Sequence, residues 1–126
     1  ARDRVIAEKS AAVLELFFDL VLARPSRALA VYGSLAPGGV HHHQLDSVVG
    51  EWVEGVVRGR LCDGPFPRLA PTPAAEGVSV QLLWNAHGLP DYWSQLDRLE
   101  GNDYRRVLVA VETEGEGLVI ANLYAA

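Results

Sequence analysis

The sequence predicts an α+β domain built on a curved β-sheet, and three features of the chain lead to that class. The stretches 52–61 and 105–112 alternate apolar and polar residues, as half-buried strands do. Residues 90–101, which lie between them, carry an apolar stripe at helical spacing and are bounded by proline and glycine. Gly55 and Gly59 lie inside the first strand, where they indicate bends or bulges of a curved sheet.

Length and composition limit the function classes. With 126 residues the chain fits one domain, and a hydrophobic fraction of 49% is too high for a disordered protein. The net charge of −5 gives no electrostatic surface for nucleic acid or for an anionic membrane, so neither is an expected partner. The single cysteine, Cys62, cannot form an internal disulfide and is predicted to be a buried structural thiol. A reducing, cytoplasmic location is therefore expected.

Residues 1–25 are predicted to form a helical extension that packs on the domain of residues 26–126. Their apolar residues recur at helical spacing, and Pro25 is predicted to end the helix. Glu15 and Asp19 interrupt the apolar run, which stays shorter than the roughly 20 residues that cross a membrane. The apolar surface of this helix could instead form a homodimer contact.

The first strand of the domain ends in a turn that could bind an anion. The apolar run 29–32 lacks polar alternation and predicts a buried, central strand. Gly33 leaves the neighbouring backbone N–H groups uncovered, so the amides of 33–35 could form a nest for an anion or a developing oxyanion. Ser34 adds a hydroxyl that can donate or accept. Most strand-to-glycine turns are plain connections, and this pattern alone leaves both interpretations open.

Glu100 lies at the end of the predicted helix and is the candidate catalytic acid/base. It follows Trp93 by seven residues and Leu96 by four, which turns it toward the inward face. Burial and the helix C-terminus both disfavour the anion, so we expect them to raise the pKa of Glu100. Such a carboxyl group is suited to exchanging protons near neutral pH. A capped helix end that reaches water remains the alternative, and Asp97, on a more polar flank, is predicted to be structural.

Three adjacent histidines, His41, His42 and His43, are predicted to open a helix rather than to bind a metal. Neighbouring side chains on a helix point about 100° apart and do not converge on one ion. His87 is the only other histidine, and we predict no metal site.

Three motifs occur in order: Tyr-Gly-Ser-Leu at 32–35, Leu-Asp-x-x-Glu-Gly-x-x-Tyr-x-Arg at 96–106, and Ala-x-x-Tyr at 121–124. Together they resemble the γ-glutamylcyclotransferase-like family, which includes γ-glutamylamine cyclotransferases and AIG2-like proteins. The resemblance extends from about residue 29 to residue 124. It implies a small, mixed, partly closed, barrel-like sheet with flanking helices around a pocket.

The resemblance also implies an activity and a set of site residues. The α-amine of a small γ-glutamyl substrate would attack its own γ-carbonyl, releasing 5-oxoproline and an amine or amino acid. Glu100 would be the general acid/base, without a metal or an organic cofactor. The implied substrate-binding residues are Tyr32, Gly33, Ser34, Leu35, Phe66, Tyr104 and Tyr124. A non-catalytic, ligand-binding or regulatory member of the same fold is the alternative.

Some positions keep a second interpretation. Phe66 lies in a proline-rich loop that either lines the pocket or forms a surface connector. Tyr124 could supply a phenol, but an ordinary half-buried strand tyrosine is the favoured interpretation. Cys62 and Val80 depart from the family pattern, which has tyrosine and glycine there.

Overall fold

A computed structural model describes residues 24–33, 35–39, 42–62 and 68–126. Of the predicted N-terminal helical extension only Arg24 and Pro25 are described, and Ser34, His41 and Phe66 also lie outside the described residues. Within the described ranges, no helix is long and apolar enough to cross a bilayer.

The described residues form strands β1 to β6 and helix α1, with bounds β1 Leu29–Val31, β2 Glu51–Cys62, β3 Arg68–Pro71, β4 Gly77–Trp84, α1 Trp93–Glu100, β5 Arg105–Thr113 and β6 Leu118–Ala125. Short 3-10 helices lie at Pro25–Arg27, His42–Leu45, Leu89–Tyr92 and Gly101–Asp103. The last of these follows α1 directly, and the second starts at the predicted histidine helix.

Five strands close into a barrel in the order β1–β4–β2–β5–β6 and back to β1. The neighbours pair antiparallel except β1 and β6, which run parallel. The sixth strand, β3, pairs with β2 and with the end of β6. The predicted mixed barrel-like sheet is therefore confirmed, with the ring fully closed and α1 packed outside it.

β2 keeps an unbroken register with β4 through Gly55, and its pairing changes at Gly59, the second of the two glycines at which bends or bulges were predicted. β2 pairs in continuous register with β4 up to Arg58 and with β3 from Gly59 onward. The two partners lie on opposite edges of β2, because the Thr72 N–H donates to the Arg58 carbonyl oxygen and the Gly59 N–H donates to the Glu76 carbonyl oxygen. Residues 72–76 therefore cross from one edge of β2 to the other. The glycines themselves permit close approach, since a Cβ on Gly59 would lie 2.7 Å from the Ala70 carbonyl oxygen.

Two apolar layers surround β1 and explain its lack of polar alternation. Ala28 and Ala30 belong to the barrel interior, whereas Leu29 and Val31 belong to a second cluster between the barrel and α1. Because both faces are covered and strands pair on both edges, β1 is the buried, central strand that its apolar run predicts. Cys62, by contrast, is only half-buried, because it ends β2 beyond the covered part of the sheet.

Candidate functional site

A cleft opens where β1 leaves the barrel. It has an empty volume of about 310 Å³, partly open to solvent. Its lining residues are Ala30, Val31, Tyr32, Gly33, Leu35, Glu100, Tyr104 and Tyr124. The fold thus brings the turn after the first strand to the end of the only α-helix described.

The cleft exists because β6 changes partners. β6 pairs with β1 as far as Leu123 and then, at Ala125, with Leu69 of β3. Tyr32 follows β1 at this change, and its hydroxyl joins the two neighbouring strands. The Tyr32 Oη donates to the carbonyl oxygen of Tyr124 at 2.6 Å and accepts from the Leu69 backbone N–H at 2.9 Å.

Tyr32 therefore forms part of the cleft wall, and its hydroxyl is hydrogen-bonded to two backbone groups. Its burial raises the pKa to about 12, although the hydrogen bond from the Leu69 backbone acts in the opposite direction. A phenol that is neutral up to strongly alkaline pH keeps both hydrogen bonds throughout the physiological range.

Gly33 and Leu35 supply the turn side of the cleft. Among the described residues, no heavy atom lies within 4 Å of a Cβ built on Gly33, so the space in front of its backbone is open. Its φ lies outside the left-handed region, so the turn does not require glycine for its backbone angles. Leu35 is buried, and its carbonyl oxygen lies 2.8 Å from Nδ1 of His42, whose ring packs on Trp52.

The histidines contribute to this turn. His42 contacts the carbonyl of Leu35, so the 3-10 helix that begins at His42 stabilises the turn. The described part of the chain contains no group of three His, Cys, Asp or Glu residues arranged to hold a metal ion.

Glu100 reaches the cleft because α1 ends beside it. The buried Trp93 and Leu96 fix the inward face of α1, and Glu100, the last residue of α1, is half-buried on that side. Gly101 ends the helix at φ 67°, and its N–H donates to the carbonyl oxygen of Asp97. The helix thus ends directly after Glu100, as the proline-to-glycine pattern predicts.

Tyr104 lies close to the Glu100 side chain. Burial raises the pKa of the Tyr104 phenol, and the charge of Glu100 raises it further. The positive charge of Arg68 acts on this pKa in the opposite direction. Glu100 and Tyr104 therefore share one electrostatic environment.

Tyr124 faces the cleft, but its hydroxyl is directed to the helix. The Tyr124 Oη donates to Oδ1 of Asp97 at 2.7 Å. Burial is the main reason that its pKa lies far above the ordinary value, and the hydrogen bond to Asp97 adds to it. In this arrangement Tyr124 forms a wall of the cleft, and its proton faces Asp97.

Arg106 contacts this site but is not among the residues predicted for it from the sequence. Its guanidinium binds both oxygens of Asp97, with Nε to Oδ1 at 3.0 Å and Nη2 to Oδ2 at 3.4 Å. A signal existed, because Asp97 and Arg106 both belong to the motif at 96–106. Nothing in that motif indicated that the helix and the following strand would fold back on each other.

The arrangement combines one carboxyl group with a turn of exposed backbone. Glu100 is the only charged residue among the described lining residues, and the phenols of Tyr32 and Tyr124 donate to protein groups. Such a cleft can exchange protons at one position and offer backbone N–H donors at another. Of the predicted site residues, six line it, whereas Ser34 and Phe66 lie outside the described residues.

Solved structures share this fold. A protein from Arabidopsis thaliana matches with a TM-score of 0.60 and 27% identity over 79% of this chain and 67% of its own. YkqA from Bacillus subtilis matches with a TM-score of 0.64 and 25% identity, and 35% of its length is covered. An AIG2-like protein from Mus musculus has a TM-score of 0.60 at 19% identity, over 79% of this chain and 76% of its own, a likeness of fold alone.

The sequence comparisons agree with the fold. A comparison with curated proteins finds no significant match. The sequence profile of one family, described as "Gamma-glutamyl cyclotransferase, AIG2-like", matches residues 29–126. That match covers both strands of the cleft wall, the turn and the helix end with Glu100, so the chain belongs to the gamma-glutamyl cyclotransferase, AIG2-like family.

Proposed function

We propose that this protein is a γ-glutamylcyclotransferase-type enzyme that releases 5-oxoproline from a small γ-glutamyl compound. The other product is an amine or an amino acid. The observation that carries the proposal is the convergence of Glu100 with Gly33 and Leu35 on one cleft. Membership of the family supports the same activity.

The reaction needs little more than a folded substrate and a proton carrier. The α-nitrogen attacks the γ-carbonyl carbon of the same molecule, and a five-membered ring forms as the amide bond breaks. Because the step is intramolecular, holding the glutamyl chain in a bent conformation supplies much of the acceleration.

Glu100 carries the protons in this scheme. The ionised carboxylate takes one proton from the α-ammonium, which frees the lone pair for attack. A second proton leaves the α-nitrogen once the new bond has formed, and two protons in all reach the departing nitrogen. Glu100 can transfer each in turn, so it ends the cycle ionised, as it began.

The turn stabilises charge on the substrate. Backbone N–H groups of Gly33, Ser34 and Leu35 would donate to the α-carboxylate or to the oxyanion of the tetrahedral intermediate. The walls would be formed by Tyr32, Tyr104 and Tyr124. Phe66, in the loop before β3, would also line the cleft.

The test is the conservative substitution Glu100→Gln. Glutamine keeps the length and shape of glutamate but cannot carry a proton between two nitrogens. We expect 5-oxoproline release to fall toward the upper end of the about 100- to 10,000-fold range of general acid–base catalysis. The assay uses γ-glutamyl amino acids, γ-glutamyl-ε-lysine and γ-glutamyl amines as donors, with a thermal-shift measurement of binding alongside.

Glu114→Gln is the matched control, since Glu114 is exposed in the turn between β5 and β6. It should leave the rate unchanged. A Glu100→Gln variant that keeps wild-type rates would exclude Glu100 as the acid/base. Wild-type protein that binds donors but cyclises none would establish the non-catalytic, ligand-binding alternative.

A further inference from the structure

Arg106 of β5 joins α1 to the barrel wall beside the cleft. Its Nε and Nη2 donate to the two oxygens of Asp97 at 3.0 and 3.4 Å. This paired geometry uses the planar fork of arginine, which lysine cannot reproduce. The Arg106 side chain is 21% exposed and that of Asp97 is 43% exposed, so the guanidinium is largely covered while water reaches the carboxylate.

The guanidinium is also fixed on its other sides. Its Nη1 donates to Oδ1 of Asn122 at 3.1 Å, and Asn122 is only 5% exposed. Asn122 in turn donates to the carbonyl oxygen of Pro25 at 2.8 Å. The guanidinium carbon lies 4.5 Å from the centroid of the Trp93 ring, a distance typical of a cation–π contact.

These contacts hold two positions on one face of α1. Trp93 and Asp97 are four residues apart, and Glu100 follows three residues later, so all three side chains share that face. A helix of eight residues has little stability of its own and takes its orientation from its contacts. A contact that holds Trp93 and Asp97 therefore determines whether Glu100 faces the cleft.

The same contact reaches the cleft wall. Oδ1 of Asp97 accepts from Arg106 and from the hydroxyl of Tyr124, which lines the cleft together with Glu100. The charges of Asp97, Arg106 and Glu100 all act on the Tyr124 phenol, which indicates that the four groups lie close together.

We propose that Arg106 is a positioning residue, which fixes α1 through Asp97 and Trp93 so that the Glu100 carboxylate faces the cleft. The catalytic consequence rests on the proposed function, whereas the effect on the helix does not. A role in stability alone is the competing explanation, and it makes a different prediction about the folded enzyme.

The test is Arg106→Lys, with Arg105→Lys as the matched control. Lysine keeps the charge, and Arg105 is the exposed neighbour on the other face of β5. Well below the melting temperature of each variant, we expect Arg106→Lys to lower kcat about 10- to 100-fold. KM should stay within about threefold, because the carboxylate acts on the reaction more than on binding. Arg105→Lys should change neither constant.

Amide hydrogen exchange of residues 96–100 in the free protein gives a second measurement that needs no substrate. It should become about tenfold faster or more in Arg106→Lys and stay unchanged in Arg105→Lys. If Arg106→Lys does not fold, Asp97→Asn removes the ion pair with a smaller change and carries the same expectations.

The outcomes separate the two proposals. An unchanged kcat in the folded Arg106→Lys variant overturns the positioning role, even where its melting temperature falls. If the wild type cyclises no donor, the proposed function fails and exchange alone decides. Faster exchange confined to Arg106→Lys then supports the role of Arg106, and equal exchange in both variants overturns it.

Discussion

The hydroxyl of Tyr32 takes the place of a backbone hydrogen bond between strands at the point where the cleft begins. β1 stops pairing there, and the phenol connects the carbonyl of Tyr124 with the N–H of Leu69. Without it, two buried backbone groups of neighbouring strands would face the cleft without these bonds. One side chain therefore permits β1 to leave the barrel and also forms the wall of the resulting opening.

Tyr32→Phe should lower the free energy of unfolding by about 1–3 kcal/mol at neutral pH. The ring keeps its packing, but the hydrogen bonds to Tyr124 and Leu69 are lost. Urea unfolding of the two proteins measures the difference. Tyr92→Phe, on the 3-10 helix before α1, is the control and should change stability by less than about 0.5 kcal/mol. Equal losses in the two variants would contradict the role assigned to the Tyr32 hydroxyl.

At the scale of the element, β2 holds the ring together because it pairs on both edges. β4 lies along one edge, whereas β3 and β5 lie along the other, with β5 at Gly55 and Val56. A Cβ on Gly55 would lie 2.5 Å from Cγ1 of Val111, a fully buried residue of β5. The glycine therefore allows β5 to cross β2 closely enough for the barrel to close.

Gly55→Ala should destabilise the barrel by about 1–3 kcal/mol, because a methyl group there overlaps Val111. The double variant Gly55→Ala, Val111→Ala should lose less than the sum of the two single variants, since the smaller side chain makes room. Gly115→Ala in the β5–β6 turn meets no atom within 4 Å among the described residues and should be close to neutral. Thermal unfolding of the wild type and the four variants tests this, and additive losses in the double variant would contradict the steric explanation.

At the scale of the whole molecule, local sequence patterns predicted the helix and strands but not all of the contacts between them. The unbroken apolar run was sufficient to predict a buried β1, and the bounding proline and glycine were sufficient to predict the helix, because both features depend on residues that are neighbours in sequence. The partly closed, barrel-like sheet was expected from the resemblance alone, since the parallel pairing of Ala30 with Leu123, which completes the ring, joins distant segments. Cys62 was predicted to be buried and is half-buried, because alternation along a strand does not reveal where the covered sheet ends.

The site shows the same limit. The convergence of Gly33 and Glu100 on one cleft was expected from the motifs, and both line it. The contact of Arg106 with Asp97 was missed, although the two residues are only nine positions apart. Alternation in β5 gives the face on which Arg106 lies, but the position of α1 against that face depends on the packing of Trp93 and Leu96.

Stability at alkaline pH is a property of the whole molecule, because the pKa values of three phenols around the cleft are all raised. Burial raises the pKa of Tyr32 to about 12 and also raises those of Tyr104 and Tyr124. The unfolded chain loses these protons near pH 10, before the folded protein does. The stabilisation from the neutral phenols is therefore complete below about pH 10 and is lost as the pH rises toward 12.

We expect the free energy of unfolding, measured in urea, to be level from pH 8 to about 9.5 and to fall above that. Each phenol can contribute at most about 1.4 kcal/mol per pH unit, the slope produced by one proton that only the folded state holds, and solvent screening narrows the pH range over which it acts. Tyr32→Phe removes one of the three and should make the decline shallower, even though the variant is less stable at pH 8. A level profile to pH 11.5, or an equal slope in the variant, would contradict this account, because neither is compatible with a Tyr32 phenol that holds its proton only in the folded state.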